Sequence, residues 1–452
     1  MNSDPEKDGT TQKTSTISAD KEPIATILAN ADPAYVSIGT APLDGNDPLI
    51  YSHVLATPPF SFLDPIKQKY NSLMPPPVYL KPEELSYNQM FEKNDILRGF
   101  TQPAEGGLNC SDKEVYAKQK GVIGNLLKQV AKGFFQKGGF VRISLPVRVF
   151  EARSTLDKII DAWRMAPTYL TKAAMTTDPV LRMKWVISFA MSGLYCMVTN
   201  LKPFNPLLGE TLEGGFDDGT LVYCEHTSHH PPVTNFLIKG PGYTMWGRYE
   251  YKVEFSANSL KARQAGKHYI QFENGDVVSF KLPAAKLTGL VMGTRSSYYT
   301  GELKFLDKQN GLKSVVIMDC GKTGGFFGSR KKGHKKDEFE GLLYKWNPLA
   351  PNKKHPNKLS ELKDVEAPIT KISGSWLSSL KFGDEEFWNI DSCKPCGIWY
   401  LPQVLPSDWR FREDLLWLRK DDMQKADLWK IELEVQQRYD RALREKHRPK
   451  KD

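Results

Sequence analysis

The sequence predicts a mainly β, α+β fold: an antiparallel barrel or sandwich with helices beside it. The chain has 452 residues, of which 40% are hydrophobic and 25% charged, as in globular proteins that bury a core. Between about residues 211 and 374, short runs of alternating apolar and polar side chains are separated by Gly, Asn and Asp. Many short strands in succession are typical of antiparallel barrels and sandwiches, and a large barrel can hold an apolar cavity.

Individual strands follow from this alternation. They are predicted over residues 220–225, 233–238, 245–255, 268–272, 277–282, 299–306 and 314–318. Asn274-Gly275-Asp276 and Asn310-Gly311 mark turns between them, because Gly and Asn accept the positive φ angles of tight turns. A further strand is predicted around Val147 and Val149.

Helices are predicted before and after the β region. Ser154 and Asp157 have the spacing of a capping box at the start of one helix. Asp178-Pro179 begins a second, apolar on most sides, and a long charged helix starts at about Asp421. The first amphipathic helix, residues 121–137, is either an ordinary surface helix or a mobile one that lies on a membrane or closes a pocket.

The remaining segments are predicted from their composition. Residues 1–45 are rich in Ser, Thr, Asp, Lys and Gly and should be disordered, and residues 46–120 are a Pro- and aromatic-rich extension or linker. Residues 444–452 form a basic tail. The basic run 328–337 is either a solvated loop or a contact for anionic lipid, and its lack of interleaved aromatics argues against nucleic acid.

Charge and cysteine content favour a cytoplasmic protein that meets anionic surfaces. The 62 basic and 53 acidic residues give a net charge of +9, and six cysteines are too few for a disulfide framework. Cys393-Lys-Pro-Cys396 lacks the second pair of a zinc ribbon, so both are predicted to be ordinary cysteines. Met1 is not followed by an apolar leader, and polar residues break the longest uncharged stretch, 185–201. We therefore expect a soluble or peripheral protein.

The most unusual stretch is Glu225-His-Thr-Ser-His-His-Pro-Pro232. Its two prolines fix the backbone and hold His230 extended. A turn here would let His229 and His230 converge on one ligand, and imidazoles suit an anion because both ring nitrogens can donate. The alternative is that both rings satisfy carbonyl groups in a tight corner.

Two other chemistries fit this stretch less well. His226, His229 and His230, with Cys224 and Glu225, offer metal ligands, but their spacing matches no usual zinc pattern, and no metal is expected. Ser228 lacks the sequence pattern that surrounds a hydrolase nucleophile. We therefore expect neither a catalytic residue nor enzyme activity.

Two further groups of polar residues stand out. Lys202 and Asn205 lie in Lys202-Pro-Phe-Asn-Pro206, where the prolines forbid a helix or a regular sheet and make a rigid loop. Lys430, Glu434 and Arg438 recur every four residues and form one stripe on the last helix. From chemistry alone the loop is a structural corner or a binding site, and the stripe is a solvated ladder of weak ion pairs.

Together these motifs resemble the oxysterol-binding-protein-related proteins over about residues 140–438. Residues 225–232 are similar to the family signature, with His226 where Gln is more common. Residues 202–210 resemble its K-P-x-N-P-x-L-G-E motif, and the stripe on the last helix resembles its C-terminal motif. The resemblance implies a lipid-binding domain over residues 121–443, with residues 121–139 as a lid.

The family implies an incomplete antiparallel β-barrel that encloses an apolar lipid tunnel, with an N-terminal lid, flanking helices and a C-terminal helical subdomain. The residues implied to bind a phosphoinositide headgroup are Lys202, Asn205, His229, His230, Lys430, Glu434 and Arg438. Those implied to form the lid and tunnel are Leu126, Val130, Phe140, Ile143 and Leu145. No cofactor is implied.

The resemblance also implies intracellular lipid transfer, in which phosphatidylinositol 4-phosphate is exchanged for a sterol, or for another lipid such as phosphatidylserine, in one tunnel. Val253 stands near the position where carriers of phosphatidylserine have a polar residue, which disfavours that lipid. The alternative is a lipid-gated sensor or adaptor with little net transport. We expect a monomer, peripheral at anionic organelle membranes or membrane contact sites, that binds no nucleic acid.

Overall fold

The computed structural model describes residues 93–119, 121–122, 145–229, 231–256, 258–321, 332–347, 356, 359–365, 367–401 and 404–446. All of them belong to one compact unit of the chain, residues 60–452. The predicted disordered segment, most of the Pro-rich extension, most of the first amphipathic helix, the end of the basic tail and His230 lie outside the described residues. So do Leu126, Val130, Phe140 and Ile143 of the predicted lid and tunnel.

One antiparallel network of seventeen strands forms the frame of the described fold. Its strands are β1 (Phe100–Thr101), β2 (Leu108–Cys110), β5 (Thr211–Phe216), β6 (Leu221–His229), β7 (Pro232–Gly240), β8 (Tyr243–Ser256), β9 (Ser259–Gln264), β10 (His268–Phe272), β11 (Val277–Phe280), β12 (Ala284–Thr288), β13 (Ser296–Asp307), β14 (Leu312–Met318), β15 (Glu338–Lys345), β16 (Pro368–Ser375), β17 (Ser379–Phe382), β18 (Glu385–Asn389) and β19 (Ile398–Tyr400). Two more, β3 (Phe150–Ser154) and β4 (Lys202–Phe204), pair with each other in parallel. The strands predicted between residues 220 and 318 are confirmed: most alternate between a buried and a more exposed face, whereas β14 is buried on both faces.

The order of strand pairs indicates a sheet that curves into an incomplete barrel. β5 to β8 pair in sequence, and the long strand β8 then divides: residues 243–247 pair with β10 and residues 251–256 with β9. β13 divides in the same way between β12 and β11, and pairing continues from β13 through β14 to β18. Among the described strands, the end strands β18 and β19 do not pair with each other. The barrel is therefore incomplete and antiparallel, as predicted.

Helices flank this sheet. They are α1 (Lys93–Ile96), α2 (Lys113–Gln119), α3 (Thr155–Ile160), α4 (Ala166–Met175), α5 (Pro179–Ser192), α6 (Glu413–Arg419) and α7 (Met423–Lys446). α4 packs on β7 and β8 and α5 on β17 and β18, so the pair joins distant parts of the strand order. α6 and α7 pack together as the C-terminal helical subdomain, and α7 continues into the predicted tail. No helix in the described part of the chain is both long and apolar enough to cross a bilayer.

The predicted helix starts are confirmed at the level of single hydrogen bonds. Ser154 Oγ accepts the Leu156 N–H at 3.3 Å, and Asp178 Oδ1 accepts the Val180 N–H at 2.9 Å. Such caps contribute about 0.5–2 kcal/mol each, since they satisfy donors that have no partner within the helix. The Asp157 carboxylate instead pairs with other side chains, so the reciprocal half of the capping box does not form.

The prediction of a strand at Val147 and Val149 is wrong. These residues form a 3-10 turn, and β3 begins only at Phe150. Pro146 leads into the turn with a φ of −67°, and the Val147 N–H donates to Asp427 Oδ1 of α7 at 2.9 Å. The donor that a strand would use is therefore taken by the C-terminal helix.

The proline loop contains a short strand, although its prolines predicted neither a helix nor a regular sheet. β4 contains Pro203, which has no N–H to donate. Proline is tolerated on an edge strand, and the paired positions of β3 and β4 are Phe150 with Lys202 and Ser154 with Phe204. The pairing skips Pro203 and fixes Lys202 beside Phe150.

Candidate anion-binding site

The site begins at the parallel pair β3 and β4. The rings of Phe150 and Phe204 lie 4.6 Å apart between centroids and fix the pair side by side. Lys202 Nζ lies 4.8 Å from the centroid of the Phe150 ring, and it donates to Asn205 Oδ1 at 2.6 Å and to the Pro203 carbonyl at 2.9 Å. The proline loop therefore fixes the position of the Lys202 ammonium group and holds the Asn205 amide beside it.

A second ammonium group reaches the same aromatic ring from α7. Lys430 Nζ lies 5.7 Å from the Phe150 centroid and donates to Glu434 Oε1 at 2.5 Å. Only 6% of Lys430 is exposed, so this part of the predicted stripe does not lie on a solvated face. Lys202 and Lys430 are separated by most of the domain in sequence, and the fold places both against Phe150.

Two cations against one ring repel each other. Burial, followed by the nearby charges of Lys430 and Arg412, lowers the pKa of Lys202 to about 7. A lysine with this pKa is only partly charged at neutral pH, and a bound anion would favour its charged form. Perturbed pKa values of this kind are typical of binding and catalytic sites.

The buried Arg412 fixes the proline loop in place. Its role was not predicted from the sequence. Its guanidinium is buried and pairs with Glu210 Oε2 at 2.9 Å and with Asp414 Oδ2 at 2.7 Å. It also donates to the Asn205 carbonyl at 2.7 Å. In the sequence, the closely spaced charges of Arg410-Phe-Arg-Glu-Asp414 could have indicated this role, because buried charges need partners of opposite sign.

The contacts of Glu210 explain why the proline motif ends in an acidic residue. Besides Arg412, it accepts the Leu207 N–H at 2.8 Å through Oε2, and its Oε1 accepts the Ser154 hydroxyl. The carboxylate thus ties the loop to β3 and to the segment before α6. Glu210 and Arg412 therefore position the loop that carries Lys202 and Asn205.

The loop is docked on β6 at His226. The Gly209 N–H donates to the His226 carbonyl at 2.8 Å, and the His226 N–H donates to the Glu210 carbonyl at 2.9 Å. The lysine loop and the histidine motif, which are separate in sequence, are therefore joined by two backbone hydrogen bonds.

A bulge in β6 brings two histidine rings together. Residues three apart on a regular strand face opposite sides. Here His226 pairs with Thr234 and Ser228 with Val233, so the register shifts at Thr227. With this extra residue the rings of His226 and His229 meet edge to face, 5.8 Å apart between centroids.

His226 is a neutral support for His229. It is buried, and its Nδ1 lies 3.0 Å from Thr234 Oγ1. Burial, then the proximity of His229 and Arg412, lowers the pKa of His226 to about 3. The sequence comparison treated His226 as a departure outside the histidine pair, whereas the structure places it against His229. The predicted convergence of His229 with His230 concerns a residue outside the described range.

The remaining predicted residues divide into two groups. Asn205 is exposed and Glu434 half-buried, and both bond to the lysines of the cluster. Arg438 lies two turns beyond Lys430, exposed, and no hydrogen bond or ion pair joins it to another described residue. Leu145, the described member of the lid and tunnel set, is partly buried against the main core. The structure thus assembles Lys202, Asn205, Lys430 and Glu434 and leaves Arg438 at the edge.

The comparisons with known proteins identify the class. The family model for oxysterol-binding protein matches residues 130–356. Oxysterol-binding protein 9 of Dictyostelium discoideum is 33% identical over 76% of this chain and 81% of its own length. Oxysterol-binding protein-related protein 8 of Mus musculus is 28% identical over 72% of this chain, but this covers only 34% of the mouse protein.

Solved structures agree on the fold. The Osh3 ORD from Saccharomyces cerevisiae in complex with PI(4)P superposes with a TM-score of 0.55 at 22% identity, covering 79% of this chain and 89% of the other. The Osh1 ORD in complex with ergosterol gives 0.52 at 20% identity, covering 74% and 89%. The chain belongs to the oxysterol-binding protein family.

Proposed function

We propose that the protein is a lipid-transfer protein that binds phosphatidylinositol 4-phosphate at the Lys202–Lys430 site and exchanges it for a sterol between membranes. The observation that carries this proposal is the pair of ammonium groups against Phe150. An anionic phosphate at this point would relieve their repulsion. The Osh3 and Osh1 structures in complex with PI(4)P and with ergosterol support the choice of ligands.

The proposed roles follow from the geometry and from the family motifs. Lys202 and Lys430 neutralise the phosphate, Asn205 and His229 donate hydrogen bonds, and Glu434 orients Lys430. His230 and Arg438 are proposed to complete the site. A headgroup at the rim of the fold suits the physics, because burying its charges deeply would cost several kcal/mol each, whereas the acyl chains or a sterol must leave water to cross the cytoplasm.

Sterol is the proposed second lipid. The sequence argument against phosphatidylserine drew on Val253, which is 48% exposed on β8. Along β8, Val253 lies on the same face as the buried Met245 and Tyr249, so its position is compatible with that sequence argument. The proposal of sterol depends on the family and on the structures with ergosterol and cholesterol.

A liposome assay tests the proposal. Donor vesicles carry a fluorescent sterol and acceptor vesicles carry phosphatidylinositol 4-phosphate. We expect sterol transfer to accelerate when the phosphoinositide is present, with counter-transport of the phosphoinositide. Lys202→Ala with Lys430→Ala should abolish both, and Lys239→Ala, an exposed lysine on β7, should abolish neither.

The possible outcomes separate the alternatives. Wild-type exchange by a folded double variant would overturn the assignment of the site. Tight phosphoinositide binding without transfer would favour a lipid-gated sensor or adaptor. Hydrolysis of either lipid in the same samples would return an enzyme to consideration.

A further inference from the structure

A second cluster of ligand-bearing side chains lies where the chain leaves β14 and enters β15. The donor atoms of Cys320, His334 and Glu338 all lie within 4.8 Å of one another. His334 Nδ1 is 3.9 Å from Cys320 Sγ and 3.3 Å from Glu338 Oε2. None of the three belongs to the anion-binding site.

These separations match those around a tetrahedral metal ion. Zinc binds a thiolate at roughly 2.3 Å and an imidazole or carboxylate at roughly 2.0–2.1 Å, so its tetrahedral ligands lie about 3.6 Å (S to N) and about 3.3 Å (N to O) apart. The observed 3.9 and 3.3 Å are close to these values, and the third pair, Cys320 with Glu338, lies within 4.8 Å and must approach as the ion binds.

The fold holds these groups in place. β14 and β15 pair up to Met318 and Phe339, and beyond that pair the Cys320 N–H donates to the Glu338 carbonyl at 3.4 Å. The Lys335 N–H donates to Glu338 Oε2 at 3.1 Å, which orients the carboxylate in the way that outer partners orient metal ligands. The cluster is therefore anchored to a strand pair at its cysteine and its glutamate.

The local charge also suits a cation. Asp319 is buried beside Cys320 in the chain, and Glu338 and Glu340 lie on the neighbouring strand β15. Among the described residues of the turn, 332–337, the basic ones besides His334 are Lys332, Lys335 and Lys336. Lys336 points elsewhere, since its Nζ pairs with Glu105 at 3.6 Å and lies 5.8 Å from the Tyr298 ring centroid, and the other two are exposed.

We propose that Cys320 Sγ, His334 Nδ1 and Glu338 Oε2 bind one zinc-class divalent ion. Mixed thiolate, imidazole and carboxylate ligands suit a borderline-soft ion such as Zn²⁺ rather than Mg²⁺ or Ca²⁺. Three protein ligands leave one position for water or for an external ligand. The ion would cross-link the residues after β14 to the turn before β15.

Metal titration of the tag-free full chain tests this site. After treatment with a chelator, the protein is titrated with Co²⁺, followed by thiolate-to-cobalt charge-transfer absorption, and with Zn²⁺ in competition with a chromophoric chelator. We expect one ion per chain. Because loss of an outer partner already costs 10–100-fold in affinity, Cys320→Ser and His334→Ala should each weaken Zn²⁺ binding by more than about tenfold.

Two further variants keep the test decisive. Glu338→Gln should weaken binding and keep the charge-transfer band, because the thiolate remains. Cys396→Ser, at a half-buried cysteine outside the cluster, should bind as the wild type does. Absence of a cobalt–thiolate band in the folded wild type, or equal Zn²⁺ affinity in Cys320→Ser, would mean that the three groups are only an ion pair beside a thiol.

Discussion

At the scale of a residue, Lys202 shows what a bound anion would meet at the proposed site. Two short contacts, to Asn205 and to the Pro203 carbonyl, fix its ammonium group, while burial and two nearby cations disfavour its charge. The arrangement costs stability in the ligand-free protein. An arrangement that disfavours its own charge in this way is more typical of a binding site than of simple packing.

The pH dependence of stability should report this cost. The folded pKa of Lys202, about 7, lies below that of an unfolded lysine. Because the unfolded chain binds the proton more tightly, the charge opposes folding fully below about pH 7, and the penalty fades as pH rises towards about 10. Lys202→Met should therefore raise the melting temperature of the ligand-free protein more at about pH 6 than at about pH 9. A pH-independent difference, like that expected for Lys239→Met, would contradict this.

Arg438 tests the edge of the proposed site. It is exposed and has no partner among the described residues, so Arg438→Ala should leave the melting temperature almost unchanged. A hydrogen bond to a charged group contributes about 1.5–3 kcal/mol, so phosphoinositide exchange should fall roughly tenfold or more. Arg438→Lys should restore only part of it, since lysine cannot form the bidentate contact. Unchanged exchange in Arg438→Ala would remove this residue from the site.

At the scale of an element, the bulge of β6 determines which histidines meet. The register shift at Thr227 places His226 beneath His229 and against Thr234. With its pKa lowered to about 3, His226 is neutral, so its part is to fill space and form a hydrogen bond. This explains how the position accepts the Gln that is more common in the family signature.

Substitutions of His226 distinguish a role in supporting His229 from a direct contact with the ligand. His226→Gln should keep phosphoinositide binding and most of the stability, because an amide can also reach the Thr234 hydroxyl. His226→Ala should destabilise the protein by about 1–3 kcal/mol, since it leaves that buried hydroxyl unsatisfied, and should weaken binding through the loss of support for His229. Chemical denaturation and vesicle binding of both variants provide the measurement. Loss of binding in a stable His226→Gln protein would indicate direct ligand contact.

At the scale of the whole molecule, Arg412 connects the parts. Its guanidinium joins the proline loop, through Asn205 and Glu210, to the start of α6, through Asp414. Glu210 in turn bonds to Ser154 at the end of β3. The candidate anion-binding site is thus held by a buried network that joins the N-terminal and C-terminal parts of the domain.

Removal of this arginine should destabilise the whole fold. Arg412→Met leaves two buried carboxylates without their partner, which costs about 3–5 kcal/mol. Arg263→Met breaks an exposed pair with Glu254, with side chains 52% and 55% exposed, and should cost less than about 1 kcal/mol. Urea unfolding of the two variants gives the comparison. Equal effects would show that the Arg412 network does not support the fold.

The sequence by itself determined the strands, the helix caps and the motif residues. The strands of residues 220–318 follow from side-chain alternation, and the caps at Ser154 and Asp178 from hydrogen bonds within two residues. Each of these is a local property, decided by neighbours in the chain. The resemblance of three motifs added the family and the fold, because each motif keeps its residue spacing.

Only the tertiary structure decided which charges meet. Lys202 and Lys430 contact one ring because β4 pairs with β3 and α7 packs beside it. The burial of Arg412, the contact of His226 with His229 across a bulge, and the ligand geometry of Cys320 with His334 likewise depend on groups brought together by folding. A pKa or a metal geometry depends on distance in space, and the order of residues in a chain does not specify that distance.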